Sequence, residues 1–370
     1  MRILFWSSAF LPQIGGIEVL AAKLLPAMRE RGYEYLVVSS QDDGSLPPST
    51  TYDGIPVRRF PFWQSLVDVD ELAKVRQQVA KLKRSFAPDL IHINDVGRDN
   101  FFHLVTATAY QAPILVTLHG EWVPQADAIV KTTLESADWV TGCSKAILLK
   151  ARELAPAIIP RSSVTYNAVA QSPVCPAPPP MQSPRVLCLG RLSKEKGFDL
   201  ALSAFAIVIK HHPRARLIIA GDGPERAALT TQAVDAGLSE RVEFIGWVPP
   251  EKVSALINTA TIIMIPSRTE SLPVVALQAA QMARPVIGTR VGGLPEIVAD
   301  RQTGILVEKE DPQSLADATA FLFDHPETAS RMGQAARGRA QRDFAWERHL
   351  NDYDRLYRNL IRADKAPAGR

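Results

Sequence analysis

Thr261-Ile-Ile-Met-Ile-Pro266-Ser267-Arg-Thr-Glu270-Ser-Leu-Pro273-Val-Val-Ala-Leu-Gln278 is an apolar strand, a short polar loop and the start of a helix. The run before Pro266 is apolar at every other position and between, as a strand buried on both faces must be. The segment from Pro273 has helical spacing, and proline near the first helical position is favourable. Glu270 therefore stands at the carboxyl end of a buried strand, just before a helix N-terminus. In an open α/β sheet that edge is where ligands bind. A helix N-terminus adds free N–H groups and a partial positive charge, which suit phosphate. Gln278, eight residues after Glu270, falls about a turn into the helix and can face the same crevice. The stretch predicts an α/β fold and a nucleotide-diphosphate ligand whose sugar end meets Glu270.

Outward from it the strand-then-helix unit recurs. Strands are expected at Arg185–Leu189, Ala215–Ala220, Val242–Ile245, Ile262–Pro266, Pro285–Gly288 and Gly304–Val307. Helices are expected at Phe198–His211, Glu225–Ala236, Pro250–Ala260 and Val274–Ala283, with a wholly helical chain after Asp311. The first half repeats the alternation, with strands at residues 2–7, Tyr35–Ser39, Ile55–Phe60, Leu90–Asn94, Ile114–Leu118, Trp139–Cys143 and Ser163–Tyr166. Such alternation implies parallel, doubly wound sheets. Asn167 to Pro184 carries six prolines, cannot join a central strand, and reads as an extended connector. The expected organisation is a first Rossmann-like domain over 1–168, a linker over 169–184, a second Rossmann-like domain over 185–345 and a terminal helical segment over 346–370. The last segment's amphipathic stretch is expected to bury Leu350, Tyr353, Leu356, Tyr357 and Leu360. Two such domains are expected to face each other across a cleft that closes by hinge motion.

The bulk properties narrow the function. A chain of 370 residues fits two domains, and 46% hydrophobic with 22% charged residues is ordinary for a soluble globular protein. A net charge of +3, without a basic tract or zinc-finger spacing, argues against nucleic acid. Three cysteines without metal-ligand spacing fit a reducing cytoplasm. No signal-peptide pattern and no apolar run of spanning length is present, so a cytoplasmic location is expected.

Several βα turns carry groups suited to a ligand. Gly15-Gly16, at the first such turn, reads either as an ordinary loop pair or as backbone that approaches a ligand closely. His119-Gly120 ends the strand Ile114–Leu118, where a histidine is structural or bonds a sugar hydroxyl or moves a proton. Gly190-Arg191-Leu-Ser-Lys-Glu-Lys196-Gly197 places Arg191 and Lys196 five apart on a glycine-bracketed loop, where both can converge on one diphosphate. Ala220-Gly-Asp-Gly-Pro224 and Gly292-Gly293-Leu-Pro-Glu296 are turns or crevice loops, and Gly246-Trp247-Val248 can flank a base.

Taken in order, these motifs resemble the GT-B-fold retaining glycosyltransferases of glycosyltransferase family 4, over nearly the whole chain. The resemblance implies two facing Rossmann-like domains, with the C-terminal helix crossing back to the first. It implies a nucleotide-sugar donor, UDP-sugar favoured, held mainly by the second domain. Arg191 and Lys196 would hold its diphosphate and Glu270 the hydroxyls of the transferred hexose. The amides of Ser271, Leu272, Val274 and Val275 would contact sugar and phosphate. Gly15 and Gly16 would face the phosphate, His119 would lie beside the sugar, and Trp247 with Val248 would meet the base. No Asp-x-Asp motif falls on a suitable loop, so neither metal nor cofactor is expected; the acceptor is not read.

The family's signature has a second glutamate where this chain has Gln278, and that carboxylate resembles a ribose clamp. An amide offers one acceptor oxygen, two donors and no charge, which weakens such a clamp. Rival readings on this architecture are a nucleotide-sugar epimerase, a phosphorylase, and a non-catalytic sugar-nucleotide binder. Glu71 to Phe86 combines an apolar stripe with Lys74, Arg76, Lys81, Lys83 and Arg84. It reads as a core-packed helix with a solvated basic face, or as a peripheral contact with anionic lipid.

Overall fold

The structure, a computed structural model, describes residues 1–13, 15–41, 44–120, 122 and 127–365. Residues 366–370 of the terminal segment thus lie outside it. The chain forms two compact units, one of Met1–Asn167 with Glu347–Arg370 and one of Ala168–Trp346.

Among the described residues the first unit holds an eight-stranded sheet. Its strands are β1 (Arg2–Trp6), β2 (Glu34–Ser40), β3 (Ser49–Tyr52), β4 (Ile55–Phe60), β5 (Leu90–Asn94), β6 (Ile114–Leu118), β7 (Trp139–Gly142) and β8 (Ser162–Val164). Their order is β3-β4-β2-β1-β5-β6-β7-β8. The central strands are solid apolar runs because helices cover both faces: Ile3 to Trp6 of β1 are fully buried.

One departure from an all-parallel sheet is β3, which pairs antiparallel with β4 at the edge. Ser49-Thr-Thr-Tyr52 has no apolar face, so hydrophobic patterning passes over it. The signal lies in the turn. Asp53 and Gly54 both have positive φ, at 46° and 74°, and Asp-Gly between two strands marks a tight hairpin.

The second unit holds a six-stranded, wholly parallel sheet: β9 (Arg185–Leu189), β10 (Arg216–Ala220), β11 (Val242–Gly246), β12 (Ile262–Ile265), β13 (Val286–Thr289) and β14 (Gly304–Val307). The order is β11-β10-β9-β12-β13-β14. The chain runs outward from β9 in one direction, then returns to start again at β12. The crevice between those neighbours is the topological switch point, where a doubly wound sheet opens to ligands.

The proline-rich run is extended and tied to the second unit. Arg284, fully buried, donates to the carbonyls of Ala177, Asn258, Ala260 and Met282, and Thr261 Oγ1 donates to the Pro180 carbonyl.

The terminal helix Trp346–Lys365 belongs, from Glu347 onward, to the first unit. Leu350, Tyr353 and Tyr357 are buried as expected, but Leu356 and Leu360 are only half-buried. The buried stripe runs on through Ile361, four residues from Tyr357, which leaves those two leucines on its flank. Tyr357 Oη lies 2.7 Å from His92 Nδ1, and His92 Nε2 lies 2.8 Å from Thr117 Oγ1. This polar network is fully buried, and burial holds the His92 pKa well below its usual value.

Lys83 departs from its expected place on a basic face. In the helix Val69–Phe86 it continues the buried stripe of Val75 and Val79 and is itself fully buried. Its ammonium donates to the carbonyls of His103 at 3.1 Å and Thr106 at 3.5 Å, and burial lowers its pKa to about 7. Lys74, Arg76, Lys81 and Arg84 remain exposed. Among the described residues no helix is long and apolar enough to cross a membrane.

Candidate active site

In the second unit the loops after β9 and β12 flank the switch point, and they carry the three charged residues singled out from sequence. Lys196 ends a 3-10 turn, Lys194–Lys196. Gly197 follows at φ 65°, and a Cβ there would stand 2.1 Å from the Pro266 carbonyl oxygen. Only glycine lets the two loops approach this closely.

Across that contact Lys196 Nζ donates to Glu270 Oε1 at 2.7 Å, and Ser267 Oγ donates to the same oxygen at 2.8 Å. Glu270 is 8% exposed. Gly292 closes over its backbone: a Cβ there would fall 1.5 Å from the Glu270 carbonyl oxygen, while Gly293 N–H donates to that oxygen at 3.3 Å.

Arg191 is exposed and its guanidinium makes no hydrogen bond or ion pair among the described residues. Its loop is held from beneath by the Gly221-Asp222-Gly223 turn. Leu192 N–H donates to the Asp222 carbonyl and Glu225 N–H to the Leu192 carbonyl, both at 2.9 Å. A Cβ on Gly221 would reach 1.8 Å from the Gly190 carbonyl oxygen.

The helix Val274–Gln281 begins after Pro273. The N–H groups of Ser271, Leu272, Val274 and Val275 make no backbone hydrogen bond among the described residues, leaving a row of donors beside Glu270. Gln278 is half-buried within that helix, and its amide makes no hydrogen bond among the described residues. Trp247 is 55% exposed and Val248 half-buried beyond β11, two strands from the switch point.

Arg268, between Ser267 and Glu270, carries no motif of its own in the sequence. Its guanidinium grips Asp199 through two bonds, at 2.9 and 2.8 Å, and Glu310 through two more, at 2.6 and 3.2 Å. These bonds hold the Asp199 pKa below the usual carboxylate range and raise that of Arg268 further.

In the first unit β1 and β5 flank the corresponding switch point. Gly15 caps the helix Gly16–Glu30 in an extended conformation. A Cβ on Gly15 would meet the Glu18 carboxylate at 2.4 Å, whereas one on Gly16 would meet nothing within 4 Å. The Glu18 carboxylate thus sits at that helix's N-terminus, its pKa raised by burial.

His119 follows β6 and is 5% exposed. Its Nε2 lies 2.9 Å from Asn94 Oδ1, and its Nδ1 sits buried with no aligned hydrogen bond. Burial, with His349 nearby, lowers its pKa to about 4, so the ring is neutral at neutral pH.

Asp95, at the start of the loop Asp95–Phe102 that is expected to border the acceptor, follows β5 with φ 96°, a conformation rare for a residue with a side chain. Burial raises its pKa to about 7, with Asp99 and Glu18 adding to the effect. An acid closing an otherwise buried strand is its signal in the sequence.

Comparison with known proteins identifies the family and the fold. The description "Glycosyl transferases group 1" matches residues 176–339, and "Glycosyl transferase 4-like domain" matches residues 15–170. Glycogen synthase of Mycobacterium tuberculosis is 28% identical over 407 aligned positions, covering 100% of this chain and 97% of that protein. Sucrose-phosphate synthase from Thermosynechococcus elongatus has the same fold, with a TM-score of 0.86 at 22% identity over 98% of this chain and 99% of that one. Anabaena HepE in complex with UDP-glucose superposes with a TM-score of 0.78 at 20% identity over 98% and 100% of the two chains. The chain is therefore a glycosyltransferase of the GT-B fold and belongs to the family 4 type, the glycosyl transferases group 1.

Proposed function

We propose that the chain is a retaining glycosyltransferase that moves a hexose from a nucleotide-diphosphate sugar, with UDP-sugar the favoured donor. The acceptor belongs to the hydroxyl-bearing glycans, lipid-linked sugars or small molecules. The observation that carries this reading is the Lys196–Glu270 pair beside a row of uncommitted amides at one switch point, with Arg191 on the loop that carries Lys196. The UDP-glucose complex of a protein with the same fold supports the choice of donor class.

In this reading Arg191, Lys196 and the amides of Ser271, Leu272, Val274 and Val275 stabilise the charge that develops on the departing diphosphate. Such preorganised electrostatics is worth most where water is excluded. Glu270 accepts hydrogen bonds from hydroxyls of the transferred sugar and fixes its orientation. The acceptor oxygen attacks the anomeric carbon on the face the phosphate leaves, the glycosidic phosphate bond breaks, and the leaving phosphate takes the acceptor's proton. His119, neutral, bonds a sugar hydroxyl rather than carrying charge.

A thermal-shift screen against nucleotide sugars identifies the donor, because a ligand of the folded state raises apparent stability by mass action. Transfer assays with that donor then test Arg191→Ala, which is expected to abolish turnover; near-normal activity overturns the reading. The anomeric configuration of the product, read by proton NMR, tests retention.

A further inference from the structure

We infer that Arg268 is a positioning residue for transfer, locking the loop that carries Lys196 against the loop that carries Glu270 so that both meet the donor in one geometry. The inference rests on the donor reading above and deepens it.

A guanidinium has five N–H donors. In Arg268 all five are committed: Nε to Glu310, one terminal nitrogen to the Lys194 carbonyl at 2.7 Å and to Asp199, the other to Asp199 and Glu310. No donor remains for a phosphate, and two carboxylates surround its single charge. Arg268 sits among donor-site residues and yet does not hold the donor.

Its partners show what it does instead. The Lys194 carbonyl belongs to the turn that ends in Lys196, and Arg268 N–H donates to the Glu195 carbonyl in the same turn at 2.7 Å. Asp199 lies in the first turn of the helix Phe198–Val208 directly after that turn, and Glu310 follows β14 at φ 60°. One side chain thus ties the loops after β9, β12 and β14 together at the carboxyl edge of the sheet. Glu270, two residues from Arg268, is placed by the same anchor. Lysine cannot replace it, since an ammonium lacks the planar fork that spans two carboxylates and a carbonyl.

The test uses the full chain, with UDP as the binding probe and nucleotide sugar with acceptor as substrates. Arg268→Gln is expected to weaken UDP binding about tenfold and to lower kcat/KM for the donor about a hundredfold, the scale at which small misplacements act. The KM for the acceptor and the far-ultraviolet circular dichroism are expected to stay unchanged. Arg268→Lys recovers less than half of the lost free energy of binding. In a Lys196→Met background Arg268→Gln is expected to cost little more UDP affinity, because its effect runs through Lys196.

A full additional loss in that background overturns the inference, as does complete rescue by lysine. Should Arg268→Gln fail to fold, Glu310→Ala removes one arm of the clamp from an exposed partner and is expected to give the same pattern in weaker form; unchanged binding and turnover overturn the inference. Wild-type UDP binding by Arg268→Gln beside lost binding by Arg191→Ala sinks the positioning role alone. Wild-type binding by both sinks the donor reading as well.

Discussion

Lys196 Nζ stands 2.7 Å from Glu270 Oε1, across the one crevice of the second sheet where neighbouring strands lead in opposite directions round the fold. The cation assigned to the diphosphate and the carboxylate assigned to the sugar are thereby a single ion pair, 30% and 6% exposed at their side chains.

Removing one partner leaves the other in a poorly solvated place. Lys196→Met is expected to destabilise the second unit by about 2 kcal/mol, below the figure for a fully buried pair because Lys196 reaches solvent. The double change Lys196→Met with Glu270→Gln is expected to restore more than half of that. Urea unfolding of the three variants checks it, and equal losses for single and double variants count against the pairing.

Glycine contacts at the same crevice are equally testable. Gly292→Ala places a Cβ 1.5 Å from the Glu270 carbonyl oxygen at φ 50°, so the Glu270 loop must move. Transfer is expected to fall at least about a hundredfold, in line with the cost of small displacements in a reacting geometry. Gly338→Ala is the contrast. It lies inside the helix Pro326–Asp343 with nothing within 4 Å of the added carbon. A gain of roughly 0.5–1 kcal/mol in stability and unchanged activity are expected there.

Gln278→Glu supplies a charged acceptor at the position where the family resemblance implies one. A charge-assisted bond is about twice as strong as a neutral one, so the donor KM is expected to fall about five- to tenfold with kcat nearly unchanged. Steady-state kinetics over a donor series measures it, and an unchanged KM removes Gln278 from the donor's contacts.

Acid is expected to act on the first unit before the second. His92, His103, His119 and His349 all belong to the first unit, and burial lowers the pKa of each. In the unfolded chain a histidine gains its proton below about pH 6.5. Folded, His119 and His349 wait until about 4. The unfolded state therefore binds more protons across that window, so the histidine contribution is complete above about pH 7 and is lost as the pH drops, by at most about 3 kcal/mol for each of those two. The raised pKa values of Asp95 and Glu18 work the other way and offset part of the loss. Limited proteolysis at pH 7.5 and 5 is expected to leave, at the lower pH, a resistant fragment of about residues 168–346. Equal survival of both units at pH 5 contradicts this.

Much of this was legible in the chain itself. Strands buried on both faces are continuous apolar runs, so β9 to β14 stand within a residue or two of their expected limits. Glycine punctuation located the loops after β9 and β12. What escaped depended on partners far along the chain. Lys83 looks like any exposed lysine until the carbonyls of His103 and Thr106 meet it, and Arg268 gains its meaning only from Asp199 and Glu310, 69 and 42 residues away. Hydrophobic periodicity carries no information about such pairings. Asp53-Gly54 is a different case, since its hairpin signal is local and only the polar strand before it lacks a pattern.

The composition of the first unit has a consequence for how the protein is born. Its sheet is spelled out by residue 164, yet the helix bearing Leu350, Tyr353 and Tyr357 that closes its apolar flank is made only after the whole second unit. The second unit, continuous from Ala168 to Trp346, can finish folding first. Vectorial synthesis, which ordinarily completes the leading domain before the trailing one, is here reversed. For the time taken to translate some 180 residues, the nascent first unit keeps an open apolar face, and this interval is when a chaperone has most to protect.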